Sequence, residues 1–226
     1  WYLSVQAFLY AIFPWLLAVL KKADARRLRC IAAAIFCAQF LFSLAIWKAG
    51  LSGNAVFYLT YLCPLFRAGD FAISCCMGCL YRSRKEERIP YGAFSLLELA
   101  AVLFSGGCFF IAARQVGALG AVAFRYNVLF TPSAVLLVWL LAVGKGVISR
   151  LLSAKPFLWL AGLSPYGFLI HQVLIRYMEL TANKLGLTAH PVVWTLTVFL
   201  LTLCLSSFYK ALEHRVRGRH AKAAAQ

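Results

Sequence analysis

Seven long, nearly continuous apolar runs dominate this chain, at residues 2–20, 30–47, 67–81, 93–113, 127–144, 164–182 and 191–209. A helix rises 1.5 Å per residue, so most of these runs approach the length needed to cross roughly 30 Å of hydrocarbon. Helices of a soluble protein keep a polar face, and these have almost none. Of the 226 residues, 63% are hydrophobic and only 13% charged, far from the usual balance of about half apolar and a quarter charged. The mean hydropathy of +0.80 agrees. The expected fold class is all-α, a polytopic transmembrane helix bundle of about seven spans. It forms one membrane-embedded domain over residues 1–226, in which residues 210–226 are a basic cytoplasmic tail.

The formal charge of +16 raises the question of a nucleic-acid partner, and its placement answers it. Basic clusters stand between the apolar runs at Lys21, Lys22, Arg26, Arg27 and Arg29, at Arg82, Arg84, Lys85 and Arg88, and at Lys145, Arg150 and Lys155. A last group comprises Lys210, Arg215, Arg217, Arg219 and Lys222. Together they hold 17 of the 23 Lys and Arg residues, in every second connection, as expected of loops kept on the cytoplasmic side of a cell membrane. The partner is a lipid bilayer and not nucleic acid; the C-terminus is expected in the cytoplasm and residue 1 outside. The connection from Lys48 to Phe66 is the longest outer one and is expected to be an irregular loop able to cover a cavity. The eight cysteines lie mostly within apolar runs and read as small residues of helix packing; no metal site is expected. The chain starts at Trp1 without an initiator Met and reads as a fragment of a longer protein.

Ionisable groups inside hydrocarbon are the natural candidates for chemistry, because placing them there is costly. His171 lies seven residues beyond Ser164, about 10 Å further along the helix and on the same face. Two readings stay open for it, a proton carrier or a packed histidine bonded to a neighbouring helix. Arg67 and Asp70 are spaced to pair on one face; they either pin the helix or offer donors to an anion or sugar. Glu98 is expected to snorkel to water, and Arg176 with Glu179 to form an interface pair. Ser164-Pro165 reads as a helix start, with Ser164 as N-cap and Pro165 first in the helix, and Gly162 permitting the preceding turn. No nucleotide-binding glycine loop, HExxH or GxSxG occurs, which weakens ATP-driven transport and zinc proteolysis as functions.

Three segments together resemble acyltransferase family three, the polytopic O-acyltransferases that act on surface sugars. The first is Trp1-Tyr2-Leu3-Ser4-Val5-Gln6 with Tyr10 and Pro14, where Gln6 stands in place of the family's frequent Glu. The second is Arg67-Ala68-Gly69-Asp70-Phe71 with Gly78, similar to an Arg-x-x-Glu-Phe helix start. The third is Leu163-Ser164 through Leu169-Ile170-His171-Gln172, in which Pro165 and Phe168 replace tyrosines; Glu213 resembles the acidic end of the last helix.

The resemblance implies a ten-span bundle of which this chain is the C-terminal part, with a catalytic histidine and an arginine-rich motif in the part preceding Trp1. It implies O-acetyl transfer from acyl-CoA, a donor substrate and not a bound cofactor, to a sugar hydroxyl of a cell-surface or exported glycan. His171 is the expected catalytic residue here, and Arg67, Asp70, Ser164 and Gln6 are expected to bind substrate. The basic loops would draw the phosphates of CoA, or anionic lipid headgroups. The competing functions are a proton-coupled transporter or lipid- and glycan-handling channel, and a non-catalytic membrane scaffold.

Overall fold

The computed structural model describes residues 2–51, 53–83, 90–118, 121–186 and 190–223. Among these no strand occurs. The helices are α1 (Tyr2–Leu20), α2 (Ala25–Lys48), α3 (Gly53–Phe57) with a π-helical turn (Tyr58–Leu62), α4 (Pro64–Ser83), α5 (Tyr91–Arg114), α6 (Val122–Arg125), α7 (Thr131–Val143), α8 (Val147–Leu152), α9 (Lys155–Ala161), α10 (Ser164–Leu185) and α11 (Pro191–Ala223). Trp1, Arg84, Lys85 and Arg88, used in the sequence reading, lie outside the described residues.

Each of the seven expected spans is a helix. Five helices are long and apolar enough to cross a membrane, and a sixth crossing results if α9 and α10, bent by 58°, are one broken span. The remaining run became α7, only 13 residues and so about 20 Å long. Gly144 stops it in the left-handed conformation, φ 74°, which lets the chain reverse into α8. Apolar side chains cover much of the surface of these helices, among them Trp15, Leu41, Leu103, Phe109 and Val138, as a hydrocarbon environment requires.

The chain divides into two compact units, Trp1–Leu151 and Leu152–Gln226. In the first, Leu20, Leu28 and Cys76 are buried together where α1, α2 and late α4 meet. A second cluster joins Phe94 and Ala101 of α5 to Leu140 and Val143 of α7. The third, at the other end of the unit, gathers Ile46, Val56, Phe66, Phe124 and Val128. These contacts bring Lys21, Arg82 and Lys145 to one end of the unit and the aromatic residues Trp47, Phe57, Tyr61, Phe124 and Tyr126 to the opposite end. In the second unit α10 and α11 run antiparallel, since Tyr166 reaches Glu213 while Gly167 approaches Thr202 and Ser206.

Several local expectations are corrected. The connection between α2 and α4 is mostly helical, because the Gly53–Leu62 stretch continues toward α4 with Pro64 in the first turn, where a missing N–H costs nothing. Ser164 does not cap α10: it is the first helical residue, and Leu163 is the N-cap, without a side-chain bond. Gly162 keeps a right-handed conformation, φ −68°, so what matters there is its size; an added Cβ would stand 2.5 Å from Lys210 Nζ. The basic segment after residue 210 is helical, continuing α11 to Ala223. Arg176 and Glu179 do pair, at 3.4 Å on an exposed face.

Candidate functional site

Arg67 and Asp70 stand in the first two turns of α4, three residues apart and therefore on one face. Their ion pair closes at 3.0 Å between Arg67 Nη1 and Asp70 Oδ2. Arg67 Nε donates to the Tyr61 carbonyl at 2.8 Å, and the guanidinium lies 4.7 Å over the Tyr61 ring. The side chain is thus held on three sides, with Nη2 carrying no hydrogen bond among the described residues.

Asp70 has a second partner that the sequence did not reveal. Gln39 of α2 donates through Nε2 to Asp70 Oδ1 at 3.1 Å and to the Phe66 carbonyl at 2.9 Å. Gly69 makes room for this amide: a Cβ there would stand 2.6 Å from Gln39 Nε2. Gln39 is one polar residue in an apolar run, and only the packing of α2 on α4 gives it a role.

Between α4 and α7 lies a cavity of about 520 Å³ with Arg67 and Asp70 at one end. Tyr126, Asn127, Phe130 and Thr131 line that end from the α6–α7 turn, and Met77, Val138 and Trp139 line the apolar remainder. Tyr81 closes the far end, donating to the Ala142 carbonyl at 2.8 Å. A larger cavity of about 750 Å³, lined by Lys21, Leu28, Cys75, Cys79 and Arg82, opens between α1 and the late part of α4. Gly78, on the wall of both, is the residue the two linings share.

Gln6 lines neither cavity and donates instead to the Tyr10 hydroxyl a turn along α1, at 2.7 Å. In the second unit His171 is half-buried beside Phe168, and its Nδ1 lies 3.1 Å from the Gly167 carbonyl. A carbonyl only accepts, so Nδ1 carries the hydrogen of this contact. Ser164 is exposed at the start of the same helix. The Tyr166 hydroxyl donates to Glu213, tying the start of α10 to the late part of α11.

Glu98 departs most from expectation. Its side chain does not snorkel; it is wholly buried. It accepts backbone N–H bonds from Gly146 at 3.2 Å, Ile148 at 2.9 Å and Ser149 at 3.2 Å, at the start of α8. A carboxylate there satisfies N–H groups that no helical carbonyl can reach. Gly146 is required for this approach, because a Cβ would collide with the carboxyl group.

No curated protein and no solved structure matches the chain. A family described as an acyltransferase domain matches residues 1–210, which takes in both cavities, His171 and nearly all of the membrane helices. A match over most of the chain, on a framework of apolar spans that carries the Arg67–Asp70 pair where the resemblance places it, shows that this chain belongs to acyltransferase family 3, a family of membrane-embedded enzymes that transfer acyl groups.

Proposed function

We propose that the protein moves an acetyl or similar acyl group from acyl-CoA to a sugar hydroxyl of a cell-surface or exported glycan, from a bacterial inner membrane with its C-terminus in the cytoplasm. The observation that carries this reading is the α4–α7 cavity, where Arg67 is fixed but keeps an unused N–H edge beside the flat rings of Tyr126 and Phe130. A sugar presents oxygens to such donors and apolar C–H faces to such rings. Its hydroxyl attacks the thioester carbonyl carbon, a base takes the hydroxyl proton, and the C–S bond breaks to release the CoA thiol. Proton removal and stabilisation of the oxyanion each contribute orders of magnitude in rate. Within this chain Arg67 binds the acceptor and Asp70 holds Arg67; in the second unit His171, with Ser164 on the same helix, lines a path for protons. Lys21 and Arg82 offer charge to the phosphates of CoA at the larger cavity.

The test is transfer of label from radiolabelled acetyl-CoA to a sugar acceptor by the protein in its membrane. Transfer is expected, with a fall of at least about tenfold in Arg67→Ala and undiminished membrane insertion; unchanged turnover in that variant returns Arg67 to a purely structural role. The ion pair and histidine within spans also suit a proton-coupled transporter or glycan-handling channel. Substrate flux in proteoliposomes without acyl transfer would favour that second function.

A further inference from the structure

The cavity between α4 and α7 has two unlike parts. Arg67, Asp70, Tyr126 and Thr131 supply polar groups at one end. Beyond them the walls turn apolar, with Ile73 and Met77 on α4 and Val135 and Val138 on α7. Two hydroxyls stand there, and both already donate to backbone: Ser74 to the Asp70 carbonyl at 2.9 Å and Tyr81 to the Ala142 carbonyl at 2.8 Å. The indole N–H of Trp139 is what remains to meet a polar occupant of that part. A second sugar unit placed there would leave most of its hydroxyls without partners, which is costly, whereas hydrocarbon fits without loss.

The apolar part also opens sideways. Tyr81 and Trp139, edge to face at 6.1 Å, close its far end. On its walls Ser74, Gly78, Ala134 and Ala142 are exposed, and Val138 is 66% exposed. Beside such an opening in a membrane-spanning bundle lie lipid chains. The polar end is the one that holds the Tyr61 and Tyr126 rings, away from the basic connections. Polar groups at a membrane surface with hydrocarbon beneath them are the profile of a lipid, not of a free sugar.

Resting on the acyl-transfer reading of this site, we propose that its acceptor is a lipid-carried sugar: one sugar unit lies at Arg67 and Tyr126, and the hydrocarbon chain joined to it runs between α4 and α7 past Met77 and Val138. The acceptor enters from the side, out of the bilayer, with its sugar already at the surface. The reaction itself is unchanged. The sugar hydroxyl becomes an ester, the CoA thiol leaves, and the chain takes no part beyond holding the sugar in place.

The experiment uses the protein in vesicles with acetyl-CoA as donor and two acceptors that share one sugar, glucose and octyl glucoside, the latter below the concentration at which it forms micelles. It measures kcat/KM for each acceptor, and saturable binding of radiolabelled octyl glucoside, for the wild type, Val138→Trp and Ala142→Leu. Both substitutions enlarge exposed residues on the apolar walls, so one serves if the other does not fold. Octyl glucoside partitions into the bilayer equally around all three proteins, and only a difference between them reads the cavity. The expected result is a wild-type preference for octyl glucoside over glucose that falls by about tenfold in the variants, the discrimination an apolar pocket reaches over a methylene or more, with octyl glucoside binding weakened alongside. Unchanged preference and unchanged octyl glucoside binding in the folded variants overturn the lipid-carried acceptor while leaving acyl transfer standing. Variants that lose transfer from octanoyl-CoA relative to acetyl-CoA, with the acceptor preference intact, give the apolar part to the donor's acyl chain and also overturn the proposal. Saturable octyl glucoside binding that the variants weaken, without transfer to either acceptor, supports the lipid-like site and overturns the acyl-transfer reading. Absence of saturable octyl glucoside binding by the wild type overturns the proposal outright.

Discussion

Arg67 has its Nε on a backbone carbonyl, its Nη1 on a carboxylate and its face on an aromatic ring. A lysine is a single point of charge on a flexible stem and cannot make those contacts together. Arg67→Lys is therefore expected to reduce acyl transfer by about tenfold or more with unaltered insertion, read by assay and membrane fractionation. Gly69→Ala tests the support behind it. The new methyl displaces Gln39, loosening Asp70 and then Arg67, so transfer should fall, and Gln39→Ala added to Gly69→Ala should recover part of the loss by removing the clash. His171→Ala should lower activity more than stability in detergent; equal losses would mean that the ring only packs. The Arg67–Asp70 pair was legible in the sequence because charge within an apolar run is conspicuous. Gln39 and Asn127 were not, since a neutral amide acquires meaning only from neighbours that are distant in the chain or from the cavity wall it joins.

At the scale of elements, the start of α8 depends on a residue of α5. Glu98 accepts three N–H groups there, and Ser95 Oγ accepts a fourth from Val147 at 3.2 Å. Hydrogen bonds to a charged group contribute about 1.5–3 kcal/mol each when they replace solvation. Glu98→Gln turns a donor toward those N–H groups, and a loss of at least about 3 kcal/mol is expected, seen as a drop of several degrees in the thermal midpoint in detergent. Gly146→Ala should give a loss of similar kind, and the two changes combined should cost less than their sum, because each destroys the same interaction. The sequence showed where α5 and α7 lie but not this cap, which exists only because Gly144 reverses the chain and returns Gly146 to α5. The start of α4 was missed for the same reason: it is set by Pro64 in a way that apolar periodicity does not register.

For the whole molecule, apolar length and alternating charge were enough to anticipate an all-helical membrane protein, and within the first unit the basic connections do share one end. That arrangement predicts accessibility. In a background without the native cysteines, Ala23→Cys and Lys145→Cys should react with an impermeant maleimide from one side of sealed vesicles, and Ala118→Cys from the other. The shared end also means that α4 and α7 run in the same direction, unlike the up-and-down neighbours of a simple bundle. Their peptide dipoles then add where antiparallel ones would cancel, each placing roughly half a positive elementary charge at its N-terminus. Both of those termini flank the end of the cavity that holds Arg67 and Asn127. Oxygen bearing partial negative charge is drawn toward that end by the backbone itself, and the Trp139 end, facing the opposite poles of the two helices, is left to hydrocarbon.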